Sequence, residues 1–299
     1  MKVLVTGTSG QLGSYVAELI AENHAVSGMD IRPCPYKSLQ ALTSKGDIRK
    51  PADVRRAVRN VDAIIHCAAQ VSVERSIQNP LLDAETNVIG TLILLAAGAK
   101  ADVSKFIYVS SAAVYGNPQY LPVDEKHPTD PMSNYGASKL AGEKFALAYA
   151  RTSDMDVVSV RPFNFYSPRA DPKSPYSGVM TKFVSRVKSG KSPIIEGDGK
   201  QSRDFIHARD VAEMIGLVLL KEGLSAGAFN CGSGKSTSIL DLADITIAAS
   251  GKKLRPGFTE PRKGDIRHSL ADTQHSRKTL GFMPRTSLKA GIEELIQQS

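Results

Sequence analysis

A tyrosine and a lysine lie four residues apart in the segment Tyr135-Gly136-Ala137-Ser138-Lys139. At the start of a helix this spacing places the phenol and the ammonium on one face. The pKa of a tyrosine phenol is ordinarily about 10. A cation beside the phenol favours the phenolate, which lowers this pKa toward neutral pH and makes the residue a usable general base. Such a pair also occurs on ordinary surface helices, so the assignment needs a second signal.

The second signal is a pair of serines at the end of the predicted strand Phe106–Ser110, where Ser111 precedes Tyr135 by 24 residues. Ligands of open α/β sheets bind at the carboxyl ends of the strands. A hydroxyl there can donate to a substrate oxygen while the tyrosine takes its proton. We expect Ser110 to cap the turn, and we predict Ser111, Tyr135 and Lys139 as the catalytic residues.

The N-terminal segment joins an apolar strand, Lys2–Thr6, to a glycine-rich turn that opens a helix. Gly7 permits the tight turn, Gly10 lets backbone amides approach a pyrophosphate, and Gly13 lets the helix pack close to the strand. This pattern is typical of dinucleotide binding. We expect the cofactor to contact Gly7, Gly10, Gln11 and Leu12.

The next strand ends in an acidic residue, Asp30, 17 residues after Gly13. A carboxylate roughly 20 residues past the turn binds the adenosine ribose hydroxyls and repels a 2′-phosphate. The cofactor is therefore predicted to be NAD rather than NADP. Arg32, two residues later, either stacks on the adenine or meets a phosphate, although loop arginines are commonly solvated.

The elements that position these residues alternate in the first half of the chain between short β-branched runs and helical patterns, which predicts βαβ units. Strands are predicted at Lys2–Thr6, Ala25–Asp30, Ala63–Cys67, Phe106–Ser110 and Val157–Arg161. Helices are predicted at Gln11–Asn23, Ala52–Val58, Leu82–Ala99, Asn134–Ala150, Val179–Lys188, Ala208–Lys221, Ile239–Ala249 and Leu288–Gln297.

After Pro162 the sequence becomes rich in Pro, Gly, Ser and Lys loops, including 167–177, which indicates a second, smaller lobe. We predict an α/β protein with a Rossmann doubly wound parallel sheet in residues 1–165 and a mixed α/β C-terminal substrate lobe in 166–299. The apolar run 228–231 is expected to return to the first sheet.

Composition narrows the class of protein. The 299 residues are 41% hydrophobic, and the longest apolar run, Val88–Ala99, is shorter than the roughly 18–20 residues that span a bilayer. No leader pattern follows Met1, so we expect a cytoplasmic protein that does not enter membranes. Three scattered cysteines (34, 67 and 231) predict free thiols, and six scattered histidines predict no metal site.

The chain carries 38 Lys and Arg against 30 Asp and Glu, a net charge of +8. Residues 251–299 hold ten basic and five acidic residues, so most of the excess lies near the C-terminus. No run of like charges or basic-aromatic pattern indicates nucleic-acid binding. A small anionic ligand fits this balance better.

Together these motifs resemble the extended short-chain dehydrogenase/reductase superfamily, and within it the NAD-dependent nucleotide-sugar epimerases of the UDP-glucose 4-epimerase type. The resemblance spans essentially the whole chain. Beyond the glycine turn and the Tyr-Lys pair, it rests on the segments 46–48 (GDI), 66–69 (HCAA), 87–91 (NVIGT), 161–164 (RPFN), 197–199 (GDG), 203–207 (RDFIH) and 262–265 (RKGD).

The resemblance implies a role for each matching residue. Tyr135 is the base, Lys139 binds the nicotinamide ribose and lowers the pKa of Tyr135, and Ser111 orients the sugar 4-hydroxyl. Further cofactor contacts are implied for Asp47, Ile48, Ala68 and Asn87. Substrate contacts are implied for Ser72, Asn164, Arg203, Arg262 and Ser269, the diphosphate being held by Asn164, Arg203 and Arg262. Glu125 also matches the family but equally suits a surface loop.

The residues after Ser111 bear on the reaction. The family's 4,6-dehydratases carry Asp-Glu where this chain has Ala112-Ala113, and its decarboxylases carry Glu at the second position. Alanine cannot move a proton, so 4-epimerisation of a UDP-hexose is favoured. A nucleotide-sugar dehydrogenase or reductase, a 4,6-dehydratase and a non-catalytic NAD-sensing protein remain alternatives.

Two further expectations follow from the resemblance. Epimerases restricted to glucose and galactose carry a bulky Tyr at the position of Ser269, and those that accept N-acetylated sugars carry a small residue. Ser269 therefore predicts activity on UDP-N-acetylglucosamine, unless neighbouring side chains narrow the pocket. The family pairs two helices, here Leu82–Ala99 and Asn134–Ala150, so a homodimer is expected.

Overall fold

The computed structural model describes residues 1–171, 178–224, 226–262 and 264–298, so that part of the predicted 167–177 loop and Lys263 lie outside the described residues. The strands are β1 (Lys2–Thr6), β2 (Ala25–Asp30), β3 (Thr43–Lys45), β4 (Ala63–His66), β5 (Lys105–Val109), β6 (Asp156–Pro162), β7 (Asn164–Tyr166), β8 (Ile194–Glu196), β9 (Ser202–His207), β10 (Gly227–Cys231), β11 (Ser236–Ser238) and β12 (Gly257–Thr259).

The helices are α1 (Gln11–Ala21), α2 (Lys37–Gln40), α3 (Pro51–Ala57), α4 (Val73–Gln78), α5 (Pro80–Ala84), α6 (Thr91–Lys100), α7 (Asn134–Thr152), α8 (Val179–Lys188), α9 (Ala208–Leu220), α10 (Ile239–Ser250), α11 (Gln274–Leu280) and α12 (Leu288–Gln298). The predicted helix Leu82–Ala99 is interrupted. A π-helical turn, Glu85–Gly90, joins α5 to α6. A 3₁₀ turn, Ala112–Tyr115, follows β5.

Within the described residues the main sheet has seven parallel strands in the order β10-β6-β5-β4-β1-β2-β3. The connections reverse direction between β1 and β4, which opens a crevice at the carboxyl ends of these strands. Strand β10 pairs in parallel with β6, so the first sheet receives a strand from the second half of the chain.

Helices cover both faces of this sheet, as a doubly wound fold requires. On one face α1 and α9 contribute Val16 and Ile215 to a buried cluster, and on the other α6 and α7 contribute Leu94 and Ala146. A separate core of the second lobe packs α8, α10 and α12 against short strands, around Phe183 and other apolar side chains. The segments that carry the predicted catalytic residues lie where these two bodies meet.

One helical run of the described chain, Pro80–Lys100, is long and apolar enough to cross a membrane by length and composition alone, with a mean hydropathy of 1.4. In the fold, 44% of its most apolar 18-residue stretch is buried. Asp83, Asn87 and Thr91 are among its buried residues and carry polar side chains. Core helices of globular proteins pass the same length test, and this run buries one side against the main sheet.

Candidate active site

Tyr135 lies in the first turn of α7. Ser133 is the N-cap of this helix, and its Oγ accepts the Gly136 N–H at 3.1 Å. The Tyr135 side chain is half-buried, and the Ser111 hydroxyl, carried by the segment after β5, lies close enough to lower the pKa of the phenol. The two predicted catalytic residues are therefore in direct contact.

The capping role expected for Ser110 is performed by Ser111. Its Oγ accepts the Ala113 N–H at 3.1 Å at the start of the 3₁₀ turn, whereas Ser110 is buried. A hydroxyl has one proton to donate and two lone pairs. Ser111 can therefore cap the turn and still donate to the phenol, and the turn fixes its position.

The acid–base setting of Tyr135 differs from the expectation. Burial raises the pKa of Tyr135, the Ser111 hydrogen bond lowers it, and the Asp83 carboxylate raises it further. The lowering of this pKa by Lys139 stays a prediction for the enzyme with its cofactor bound. The Lys139 ammonium lies over the Tyr108 ring, 4.3 Å from its centroid, and burial lowers the pKa of Lys139 to about 8.

Asn87 lies in the π-helical turn and is fully engaged by protein groups. Its Oδ1 accepts the Gln70 N–H at 2.8 Å, while its Nδ2 lies 2.9 Å from the Gln70 carbonyl oxygen and 3.0 Å from Ser138 Oγ. π-Helical turns often mark functional sites. Asn87 holds the loop after β4 against α7, and its predicted contact with the cofactor stays a prediction.

The glycine-rich turn has the shape that a pyrophosphate requires. Gly7 has a φ of 79°, and a Cβ at Gly13 would collide with the Gly7 carbonyl oxygen. In the described chain no side chain caps α1. Its first N–H groups, those of Gln11 and Leu12, are therefore free to bind an anion at the positive end of the helix. These residues fit a dinucleotide cofactor.

The ribose-binding prediction for Asp30 is consistent with its surroundings. Its Oδ2 accepts the Ser9 N–H at 3.0 Å and its Oδ1 accepts the Arg32 N–H at 2.9 Å, which places the carboxylate beside the turn. The Arg32 side chain is largely exposed and donates to the Ser9 carbonyl oxygen at 3.3 Å.

The remaining predicted cofactor contacts lie on the segments after β3 and β4. Asp47 accepts two hydrogen bonds from the Arg49 guanidinium, which hold the pKa of Asp47 low. Ile48 is buried. The Ala68 N–H donates to Thr6 Oγ1 at 3.2 Å.

A cavity of about 230 Å³ opens beside Tyr135 and brings together most of the predicted substrate residues. Its lining includes Ser111, Tyr135, Asn164, Arg203 and Ser269, together with Ala112 and Ala113. Arg262 and Ser72 are not part of this lining. The Arg262 guanidinium lies 3.3 Å from a carboxylate oxygen of Glu74, and Ser72 caps α4 by accepting the Arg75 N–H.

Buried acidic side chains hold the cavity wall in place. Asp204 accepts the N–H of Ala271 at 3.2 Å and the N–H of Ser233 at 2.7 Å, which ties β9 to the segment that carries Ser269. Arg203, the residue before Asp204, donates to Asp265 at 2.6 Å. Glu125 accepts the Asn230 N–H at 2.8 Å, so in this fold it anchors a loop to β10.

A profile of the NAD dependent epimerase/dehydratase family matches residues 3–232. The chain belongs to this family. The UDP-glucose 4-epimerase of Mycolicibacterium smegmatis is 35% identical over 312 residues, which cover 99% of this chain and 98% of that protein. The family is NAD-dependent, in agreement with the cofactor predicted from Asp30.

Solved structures of the family superpose closely on this fold. The UDP-glucose 4-epimerase of Thermotoga maritima with UDP-glucose has a TM-score of 0.94 and 31% identity, covering 100% of this chain and 98% of that chain. The UDP-N-acetylglucosamine 4-epimerase of Methanobrevibacter ruminantium M1, in complex with UDP-N-acetylmuramic acid, has a TM-score of 0.93 and 30% identity, covering 99% and 97%.

Two buried polar residues beside the site are not among the residues predicted from the sequence, although His66 belongs to the matched segment 66–69. Ser76 bonds the main chain of Tyr135. His66 lies between Thr6 and Thr91, at 2.8 Å and 3.0 Å, and burial lowers the pKa of His66 to about 3, so it is neutral. Both depend on contacts between distant segments, which residue spacing does not reveal.

Proposed function

We propose that the protein interconverts UDP-hexoses by NAD-dependent epimerisation at carbon 4. The observation that carries this proposal is the cavity that Ser111, Tyr135 and Arg203 line together, where the Ser111 hydroxyl acts on the Tyr135 phenol. A phenol that lines a cavity beside a hydroxyl donor is suited to proton transfer with an alcohol. A guanidinium at the same cavity is suited to a diphosphate.

The residues have distinct parts in this reaction. Tyr135 accepts the proton of the sugar 4-hydroxyl and later returns it, while Ser111 donates a hydrogen bond to the same oxygen and stabilises its developing charge. NAD, when bound, supplies the redox chemistry by taking a hydride from carbon 4 and giving it back. Rotation of the 4-keto sugar between the two transfers exposes its other face, which inverts the configuration.

The alternatives differ in the residues they require. A 4,6-dehydratase needs an acid and a base beside Ser111, where this cavity has Ala112 and Ala113. A non-catalytic NAD sensor has no need for the complete Ser-Tyr-Lys set. A dehydrogenase or reductase shares that set but consumes or produces free NADH.

One experiment separates these activities. The protein is incubated with a panel of UDP- and dTDP-sugars, and the anomeric and ring protons are followed by NMR while NADH absorbance is recorded. Epimerisation yields the 4-epimer with no net NADH. A 4-keto-6-deoxy product, stoichiometric NADH, or no turnover of any sugar would each contradict the proposal.

We further propose that N-acetylated hexoses are accepted. Ser269 lines the cavity and its N–H donates to the Ser202 carbonyl oxygen at 3.1 Å, which holds this small side chain at the wall. The structural similarity to a UDP-N-acetylglucosamine 4-epimerase supports this substrate class. UDP-N-acetylglucosamine in the NMR panel is the direct test.

A homodimer in the cytoplasm is proposed as the working state. Leu81, Ile89 and Phe145 are large apolar side chains exposed on the α5–α7 side of the molecule. Pairing of this face with a second copy would remove them from water. All three cysteines are free, which fits a reducing compartment. Sedimentation equilibrium of the parent and of Phe145→Lys tests the dimer, which the lysine should weaken.

A further inference from the structure

We infer that Ser76, on α4, is a positioning residue for Tyr135. Its side chain is fully buried, and its Oγ accepts the backbone N–H of Tyr135 at 3.1 Å. The two residues are 59 positions apart in the chain. The inference rests on the proposed role of Tyr135 as the base.

The bond matters because of where it lies in α7. The first N–H groups of a helix have no partner within the helix. At this helix the Gly136 N–H is bound by Ser133 of the same segment, whereas the Tyr135 N–H is bound by Ser76 from another element. The Ser133 bond closes the first turn of α7 within its own segment. The Ser76 bond fixes that turn relative to α4.

Other contacts reinforce this attachment. The Asn134 amide donates to the Ser76 carbonyl oxygen at 3.0 Å, so two bonds join Ser76 to the first turn. On the other side of the Tyr135 peptide, the Tyr135 carbonyl oxygen accepts from Ser138 Oγ at 3.0 Å. Asn87 in turn donates to Ser138 at 3.0 Å. The backbone of Tyr135 is thus held through both its N–H and its carbonyl group.

The orientation of the hydrogen bonds at Ser76 is determined. Its proton is donated to the Val73 carbonyl oxygen at 2.6 Å, which leaves the oxygen lone pairs to accept from Tyr135. An alanine at this position would leave the part-buried Tyr135 N–H without this acceptor. The first turn would then shift to recover a partner and carry the phenol away from Ser111. Displacements of about 1 Å in an active site lower rates by about 100-fold.

Ser276 provides a matched control. It is also fully buried, and its Oγ donates to the carbonyl oxygen three residues earlier, that of Thr273, at 3.0 Å. Ser276 lies on α11 and does not line the cavity beside Tyr135. Ser276→Ala and Ser76→Ala each lose one such back-bond, so the difference between them isolates the acceptor for Tyr135.

The test measures kcat and KM for UDP-glucose with the NAD-loaded enzyme. We expect Ser76→Ala to lower kcat by about 10- to 100-fold with KM changed by less than about threefold, because the base is displaced and the diphosphate contacts are kept. Ser276→Ala should change neither by more than about twofold. Thermal melting of each variant monitors folding.

Ser76→Cys serves if the alanine variant fails to fold, since it keeps the volume and replaces the oxygen by a weak acceptor. Ser76→Cys should also lower kcat, but by less than Ser76→Ala does. A folded Ser76→Ala or Ser76→Cys enzyme with the parent's kcat overturns the inference, as does an equal loss in Ser276→Ala. Tyr135→Phe is assayed alongside. If it keeps activity within tenfold of the parent, the role of Tyr135 itself is wrong.

Discussion

The Lys139 ammonium lies 4.3 Å from the centroid of the Tyr108 ring, and the hydroxyl of that tyrosine donates to the Lys139 carbonyl oxygen at 3.2 Å. The π face of Tyr108 and the carboxylates of Glu143 and Asp83 thus balance the buried cation. Ser111 is the neighbour that favours the phenolate of Tyr135. The lysine and the serine therefore have separate, testable effects.

Lys139→Met should stabilise the cofactor-free protein while abolishing activity. Burial lowers the pKa of Lys139 to about 8, so the folded state bears a desolvation cost for the charged form at pH 7. Removing that charge should raise the free energy of unfolding by about 1–3 kcal/mol. The gain should shrink as pH rises from about 8 to about 10.4, where the unfolded lysine also loses its proton.

Urea unfolding of cofactor-free protein across this pH range is the measurement. Lys182→Met, at an exposed lysine of α8, is the control and should not change stability by more than about 0.5 kcal/mol. A loss of stability in Lys139→Met at pH 7 would contradict the argument.

Ser111→Ala should move the acid limb of the pH–rate profile to higher pH. The Ser111 hydrogen bond lowers the pKa of Tyr135, so its loss raises the pH at which the phenolate forms. We expect kcat at pH 7 to fall by about 100- to 1,000-fold, as for other lost oxyanion donors. Initial rates at low substrate between about pH 6 and pH 10 give kcat/KM, whose acid limb reports Tyr135 in the free enzyme, where Ser111 acts on the phenol. An unshifted limb would show that Ser111 does not act on Tyr135.

Asp30→Ala should relax the preference for NAD over NADP. The Asp30 carboxylate is held by the N–H groups of Ser9 and Arg32, in a position that repels a 2′-phosphate. The ratio of the two dissociation constants should change by about 10- to 100-fold, and fluorescence titration of the apoenzyme measures it. Asp47→Ala, at the acidic position tied to Arg49, should weaken both cofactors alike. A parent enzyme that prefers NADP would refute the role of Asp30.

The regular part of the fold could be predicted because its strands bury one continuous apolar surface. Lys2–Thr6 and Ala25–Asp30 were predicted with their observed bounds. Strands β7, β8, β11 and β12 have three residues each, too few to show a period, and they pair in the two small sheets of the structure. Propensity does not specify such elements.

The candidate site was predicted to the extent that single segments carry it. The Tyr-Lys spacing and the Ser111 strand end are local, and the structure places Ser111, Tyr135, Arg203 and Ser269 at one cavity. The position of the Lys139 ammonium could not be predicted, since it depends on Tyr108 from β5. Residue spacing indicates which groups share a face, and tertiary packing decides which of them touch.

Glu143→Gln should strongly destabilise the fold. Glu143 is fully buried and accepts from Arg161 Nε at 2.9 Å and from Ser159 at 3.0 Å. Leaving a buried guanidinium without its partner costs about 3–5 kcal/mol. Burial raises the pKa of Glu143, but Arg161 and the serine hydrogen bonds outweigh it and hold this pKa below its usual range. The stabilisation is therefore present above that range and is lost as pH falls through the folded value.

Chemical denaturation at pH 7 measures this difference. Glu213→Gln removes a carboxylate from a looser pair with Arg285 at 3.7 Å, and should cost less than about 1 kcal/mol. If Glu143→Gln and the parent had the same free energy of unfolding, the Arg161–Glu143 ion pair would not contribute to the stability of the fold.

Ser269→Tyr should remove activity on N-acetylated sugars and keep activity on UDP-glucose. Ser269 lines the cavity beside Tyr135, and a phenol ring there would fill volume that an N-acetyl group requires. Overfilling a defined pocket costs about 1–3 kcal/mol, which is about a 5- to 150-fold loss of kcat/KM. The comparison is kcat/KM of parent and variant on UDP-glucose and UDP-N-acetylglucosamine, with Ser269→Ala as the control that keeps the space. Selective loss in the tyrosine variant supports a steric gate at Ser269. A parent that does not turn over UDP-N-acetylglucosamine refutes it, because the pocket would then be closed by other side chains.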